Sequence, residues 1–276
     1  MVERIGRGGV RAAGLMTLAL IIAGAARIGC AAAAGSSKAE LTPAFWQRDP
    51  QADFDDEGRM HCAPTAVSDG LIYLATAFDF NDLVPGTDHD AQMELIEELA
   101  EDFDTDPSAG GTTPDKILTG LQTYVNGKGY KLSRLELKSW RDVSAGNKEF
   151  VLNKKPDLTW MRAAVRKAET VVLFNFGWYY EEGDGYTRKG GHWVAVVDAG
   201  TGTEFDVRNP FLQADKQTEE SAVELSLIDV DFEANIDNRA TNMKGYYEGD
   251  GTGLPHGEKV KAILDGVIVF SVAKGE

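Results

Sequence analysis

Between residues 64 and 78 the apolar positions Val67, Leu71, Ile72, Leu74, Ala75 and Phe78 recur every three or four residues, which predicts an amphipathic helix with a broad buried face. Pro64 suits its first turn, where a missing N–H costs nothing. The same spacing predicts helices over 91–103 and 114–125, with a turn-rich stretch, 102–111, joining them. After Gly129 the pattern changes. Residues 130–137 alternate like a strand, 157–168 read as a helix, and 171–180 form an almost unbroken apolar strand. A polar, glycine-containing hairpin loop over 181–190 leads to strands at 191–198 and 204–208, and Pro210 ends the latter. Later strands are expected over 225–232 and 263–272. Helices first and strands second predict an α+β fold, an N-terminal helical half packed on a C-terminal antiparallel β-sheet.

The first 34 residues do not fit that scheme. Arg4, Arg7 and Arg11 make a basic start, 15–26 is uncharged and mostly apolar, and small residues follow from Gly29 to Gly35. That order describes a secretory signal with cleavage options near Ala32 to Ala34. The expected organisation is a signal peptide over 1–34, a linker over 35–45 and one folded domain over 46–276. The chain is then exported, to the periplasm or the medium. The apolar run is too short to span a bilayer comfortably, so no integral span remains after cleavage. Lipidation at Cys30 ranks second, because Arg27 stands where such a signal wants an aliphatic residue.

Composition narrows the partners. With 276 residues, 43% hydrophobic and 26% charged, the chain can bury a substantial core. Its net charge is −16, and removing residues 1–34, with four arginines and one glutamate, makes it −19. Such a surface repels nucleic acid and anionic headgroups, which argues against both as partners.

Cleavage also leaves one cysteine, Cys62. Exported proteins normally pair their cysteines, so this thiol is buried and inert, bonded to another chain, or reactive. Its place just before Pro64 puts it at a helix mouth, where the partial positive charge favours a thiolate, and an imidazolium would favour it more. Of four histidines, His89 and His256 read as solvated surface, and His61 need not face the same way as its neighbour. His192 opens the strand Gly191-His192-Trp193-Val194-Ala195-Val196-Val197, where imidazole is expensive unless something uses it. A base held in one tautomer needs an acceptor. Asn209, at the end of the next strand, is favoured over Asp206, whose side chain should face the opposite way.

These residues carry a resemblance. Cys62-Ala63-Pro64-Thr65-Ala66, with Gly191-His192-Trp193-Val194 and Asn209-Pro210, resembles the papain-like cysteine peptidases, in particular the bacteriocin-processing, double-glycine branch. Gly111-Thr112-Thr113-Pro114 and Gly120-Leu121 with Tyr124 have the look of that branch too. The likeness implies a papain-like domain over roughly 46–274, with Cys62 as nucleophile, His192 as base, Asn209 as orienter and a peptide or protein as substrate. It implies no metal or organic cofactor.

The chain departs from the pattern in having Ala63 where glycine is usual and Asp56 where a glutamine often donates to the oxyanion, a charge that would repel it. Gln51 or Gln47 is expected to take that role. Trp178 and Trp193 are candidates for a substrate groove. Asp102, Asp104 and Asp106 mimic a calcium loop, but Pro107 replaces its turn glycine and Thr113 its closing glutamate. Competing readings are a non-catalytic binding module on the same fold, and another acyl-transfer enzyme such as a cell-wall amidase.

Overall fold

A computed structural model of the chain describes residues 36–108, 110–213 and 222–275. The predicted signal, including Cys30, lies outside them. Helix α2, Cys62–Phe78, is the centre of the helical half and is buried along most of its length. Asp79, in the left-handed conformation, closes it by donating its N–H to the Ala75 carbonyl. Gly70 lets the helix lie directly on the sheet, because a Cβ there would come within 2.5 Å of Val171. Against it packs α3, His89–Asp102, capped by Asp88, and α4, Pro114–Gly127, capped by Thr113 with proline in its first turn, packs on α3 and the first strand. Leu71, Leu74, Leu95, Leu99, Ile117 and Leu121 fill the space between.

The strands are β1 (Tyr130–Ser139), β2 (Val151–Asn153), β3 (Val171–Glu182), β4 (Gly185–Asp198) and β5 (Glu204–Arg208), then β6 (Ala222–Leu227), β7 (Glu233–Ile236), β8 (Arg239–Asn242), β9 (Tyr247–Gly251) and β10 (Val260–Lys274). Their pairing closes on itself. Going from β3 through β4, β5, β6, β9 and β10 returns to β3, and each step is antiparallel. Val172, Phe174, Val194, Val196, Phe205, Val207, Leu225 and Val269 form one core within this ring. The alternate residues of the same strands, Val171, Leu173, Trp193 and Ala195, join the helical core. Met161, Ala164 and Val165 of α5, Leu158–Val165, pack into the ring's core.

The fold is thus mixed α and β, with several corrections to the expected elements. The sheet is not purely antiparallel: β1–β2 and β4–β7 are parallel. The loop expected over 181–190 shrinks to a tight turn at Gly183 and Asp184, because Gly185 to Gly190 pair with β3 despite their polar composition. The strand expected over 225–232 stops at Leu227. A hairpin, β7–β8, follows, and its turn residues Asp237 and Asn238 both have positive φ, 49° and 61°, as a two-residue hairpin requires. The expected linker is partly built into the domain. Lys38–Leu41 form a short helix, α1, and the Lys38 ammonium donates to the carbonyls of Val165, Lys167 and Thr170 at the end of α5. Among the described residues no helix is long and apolar enough to cross a membrane.

Candidate active site

Cys62 is the first residue of α2, with His61 as its cap, so its own N–H and that of Ala63 have no partner inside the helix. The thiol is half-buried and unpaired. It lies within hydrogen-bond reach of the main-chain N–H of Trp193, and of those of Ala63 and Cys62 itself. Folding therefore carries the sulfur to the residue next to His192.

His192 is fully buried where β4 pairs with Phe176 of β3. One ring nitrogen, Nε2, lies 2.6 Å from Oδ1 of Asn209. An amide oxygen only accepts, so Nε2 carries the proton and Nδ1 is the free base. Nδ1 is buried and makes no hydrogen bond, to the thiol or to anything else described. Asn209 is itself held: its amide donates to the Thr252 carbonyl, 2.8 Å, and its oxygen also accepts from the Phe211 N–H, 3.0 Å. Phe211 covers the imidazole, with ring centroids 4.1 Å apart, and Trp178 stacks on Phe211 in turn. This apolar cover keeps water off the histidine–asparagine bond.

The electrostatics differ from the simple expectation of a helix-stabilised thiolate. Burial pushes the Cys62 thiol up to about 11, although the three N–H groups and the charge of Arg188 act the other way. Burial also pushes His192 down to about 4, against the pull of Asn209. The pair therefore rests as a neutral thiol and a neutral imidazole.

Arg188 and Asp265 lie beside this site as a buried ion pair, Nε to Oδ2 2.7 Å. A bulge in β10 between Leu264 and Gly266 sets Asp265 off the ladder, and Tyr179 donates to the same oxygen, 3.0 Å. Arg188 reaches Asn175, whose amide donates to the His192 carbonyl, 3.3 Å each.

Several expected residues have other roles. Gln47 is fully buried and both its amide protons are committed, to the Gly58 and Arg59 carbonyls at 2.9 Å, so it has none for an oxyanion. Its own N–H donates to the Pro210 carbonyl, 3.0 Å. Gln47 therefore ties the loop before Cys62 to the turn that carries Asn209. Gln51 is exposed. Asp56 is exposed too, 3.9 Å from Arg59, so its charge spends itself on solvent and a surface partner. Trp193 is not a groove residue: it is buried in the helical core and donates to the Thr112 carbonyl, 3.2 Å. Trp178 is part of the cover over His192. His61 stacks on Phe54, His89 pairs with Asp49, and His256 is exposed. Among the described residues no cluster of three or more histidine, cysteine or acidic side chains is placed to hold a metal.

Phe211 and the Arg188–Asp265 pair escaped the sequence reading. The first stands two residues after Asn209, a spacing that invites a ring to fold back over its neighbour. The second joins residues 77 positions apart and left no local signal. In comparison with known proteins, the chain matches no family model, no curated protein and no solved structure.

Proposed function

We propose that this protein is a papain-like cysteine hydrolase, exported, that cleaves amide bonds in a peptide or protein with Cys62 as nucleophile, His192 as base and Asn209 as orienter. One observation carries the reading. A fully buried histidine has one nitrogen fixed on an asparagine at 2.6 Å and the other left free, one residue from the main-chain N–H that reaches a helix-mouth thiol. Most buried polar atoms in a core are hydrogen-bonded, and a general base keeps one nitrogen for the proton it will take.

In this mechanism Nδ1 of His192 takes the thiol proton as Sγ attacks the carbonyl carbon. The site rests neutral, so proton transfer accompanies attack rather than preceding it. The oxyanion forms against the N–H groups of Cys62 and Ala63 at the start of α2, which the sulfur gives up as it attacks. His192, now protonated at both nitrogens, gives the proton to the leaving amine. The thioester is then hydrolysed by water that the same base activates. A closing movement must bring Sγ and Nδ1 into hydrogen-bond contact, as substrate binding does in many enzymes.

A second reading draws on two facts: the buried glutamine before the thiol, Gln47, has both amide protons committed to carbonyls, and the thiol is held at about 11. Both fit a binding module on the same fold. Incubating the mature protein with a mixed peptide library, beside Cys62→Ala, separates the two. Cleavage that disappears with the thiol supports the hydrolase; identical peptide profiles for both proteins support the binder.

A further inference from the structure

Arg141 follows β1, where its N–H donates to Ser139 Oγ, 3.1 Å, and it lines a cavity of about 340 Å³ with Thr113, Asp115, Asp142, Ile236, Asp237 and Arg239. Its guanidinium makes no hydrogen bond or ion pair with any described residue. The nearby anions are already engaged. Asp142 pairs with Arg239, Asp115 accepts from Ser144 at 2.9 Å and from Asn147 at 2.7 Å, and Asp265 is taken by Arg188 and Tyr179. Asp237, in the β7–β8 turn, favours the charge only from beyond ion-pair distance. A half-buried cation without an anion is unfavourable, and in a chain of net charge −16 it runs against the composition. Burial and the neighbouring Arg188 together push Arg141 down to about 10.

One charge and one loop relate the cavity to the surroundings of the thiol. The charge of Arg188 acts on both Arg141 and Cys62. The 111–113 loop runs from one place to the other: Gly111 lies against Met60, two residues before the nucleophile, Thr112 accepts from Trp193, and Thr113 lines the cavity.

We propose that this cavity is a subsite for a carboxylate of the substrate, held by the planar guanidinium of Arg141. The inference rests on the hydrolase reading for the word substrate. The carboxylate is either an acidic side chain or a peptide's C-terminus, since a guanidinium fork fits both. Thr113 Oγ1 accepts from the Lys116 N–H as the cap of α4, which leaves its O–H to donate beside the fork.

The test uses binding, which does not depend on turnover. Cys62→Ala protein is titrated calorimetrically at pH 7 with three probes: N-acetylglutamic acid α-amide, N-acetylalanine and N-acetylglutamine amide. At least one of the two acids is expected to bind, and whichever binds identifies the source of the carboxylate; the neutral amide is not. Adding Arg141→Gln should weaken the acid at least ~10-fold, and Arg141→Lys should fall between, because it keeps the charge and loses the fork. Arg141→Gln should melt no lower than its parent, which distinguishes a ligand-holding cation from a structural one. Equal binding of acids and amide, or acid binding unchanged in Arg141→Gln, overturns the subsite. Acid binding through Arg141 in a protein that cleaves no peptide upholds the subsite and overturns the hydrolase reading alone.

Discussion

The ring of Phe211 lies over that of His192, centroids 4.1 Å apart and planes 23° from parallel. Phe211 belongs to the same turn as Asn209, so the residue that orients the base and the one that dries it move together. Replacing Phe211 with alanine should let water reach Nε2 and raise the imidazole from about 4 toward its ordinary 6.5. An NMR titration of the ring protons reads this directly. An unchanged midpoint would mean that Phe211 does not control the histidine's solvation.

A base works only when neutral, so cleavage should rise with pH through about 4 and be level by about pH 5, well below the limb of an ordinary histidine. Stability follows the same group. The unfolded imidazole takes a proton as pH falls below 6.5, while the folded one resists until about 4. The histidine's contribution is therefore fully present above 6.5 and lost between there and 4, roughly 3 kcal/mol in all. Urea midpoints of the wild type and His192→Gln should converge as the pH drops from 7 to 4.5. Parallel curves would show that His192 is not buried neutral.

Asn209→Ala leaves the Nε2 proton in an apolar place without an acceptor, at a cost of roughly 1–3 kcal/mol. It also frees the ring to adopt the other tautomer. Cleavage should fall at least ~10-fold, whereas Asn209→Asp should keep the orientation and raise the histidine's pKa. Full activity in the alanine variant would remove Asn209 from the mechanism.

The loop before Cys62 depends on one glycine. Gly58 has φ +69°, and a Cβ there would stand 1.7 Å from the Gln47 carbonyl oxygen. Gly58→Ala should cost more than about 2 kcal/mol and lower Tm by several degrees. Gly146→Ala, where nothing lies within 4 Å, should leave Tm nearly unchanged. Similar melting of the two variants would show that the loop yields easily.

Much of the helical half was legible because its signals are local. Thr113-Pro114 and Asp157 mark helix starts, and the spacing along α2 shows a buried face. Val171 to Phe176 reads as a strand because nearly every side chain there is buried. What escaped depends on partners distant in sequence. Gly185 to Gly190 become strand only because β3 and β7 flank them, and β9 is a strand because β6 and β10 lie on either side. At the site, Asn209 stands out by its place just after a strand and His192 as a polar ring in an apolar run, although β4 begins at Gly185 and so holds His192 in its middle. The place of Trp193 is not legible locally because alternation turns it toward the helices, nor is that of Gln47, whose amide faces two carbonyls eleven and twelve residues on.

Whether His192 acts on the thiol is best tested by the rate at which iodoacetamide alkylates Cys62, followed from pH 4 to 10 in the mature protein and in His192→Ala. General-base assistance predicts that at pH 7 the wild type is alkylated at least ~10-fold faster than the variant, with the advantage lost below about pH 4. Equal rates at every pH, both rising only as the thiol ionises near 11, would contradict it.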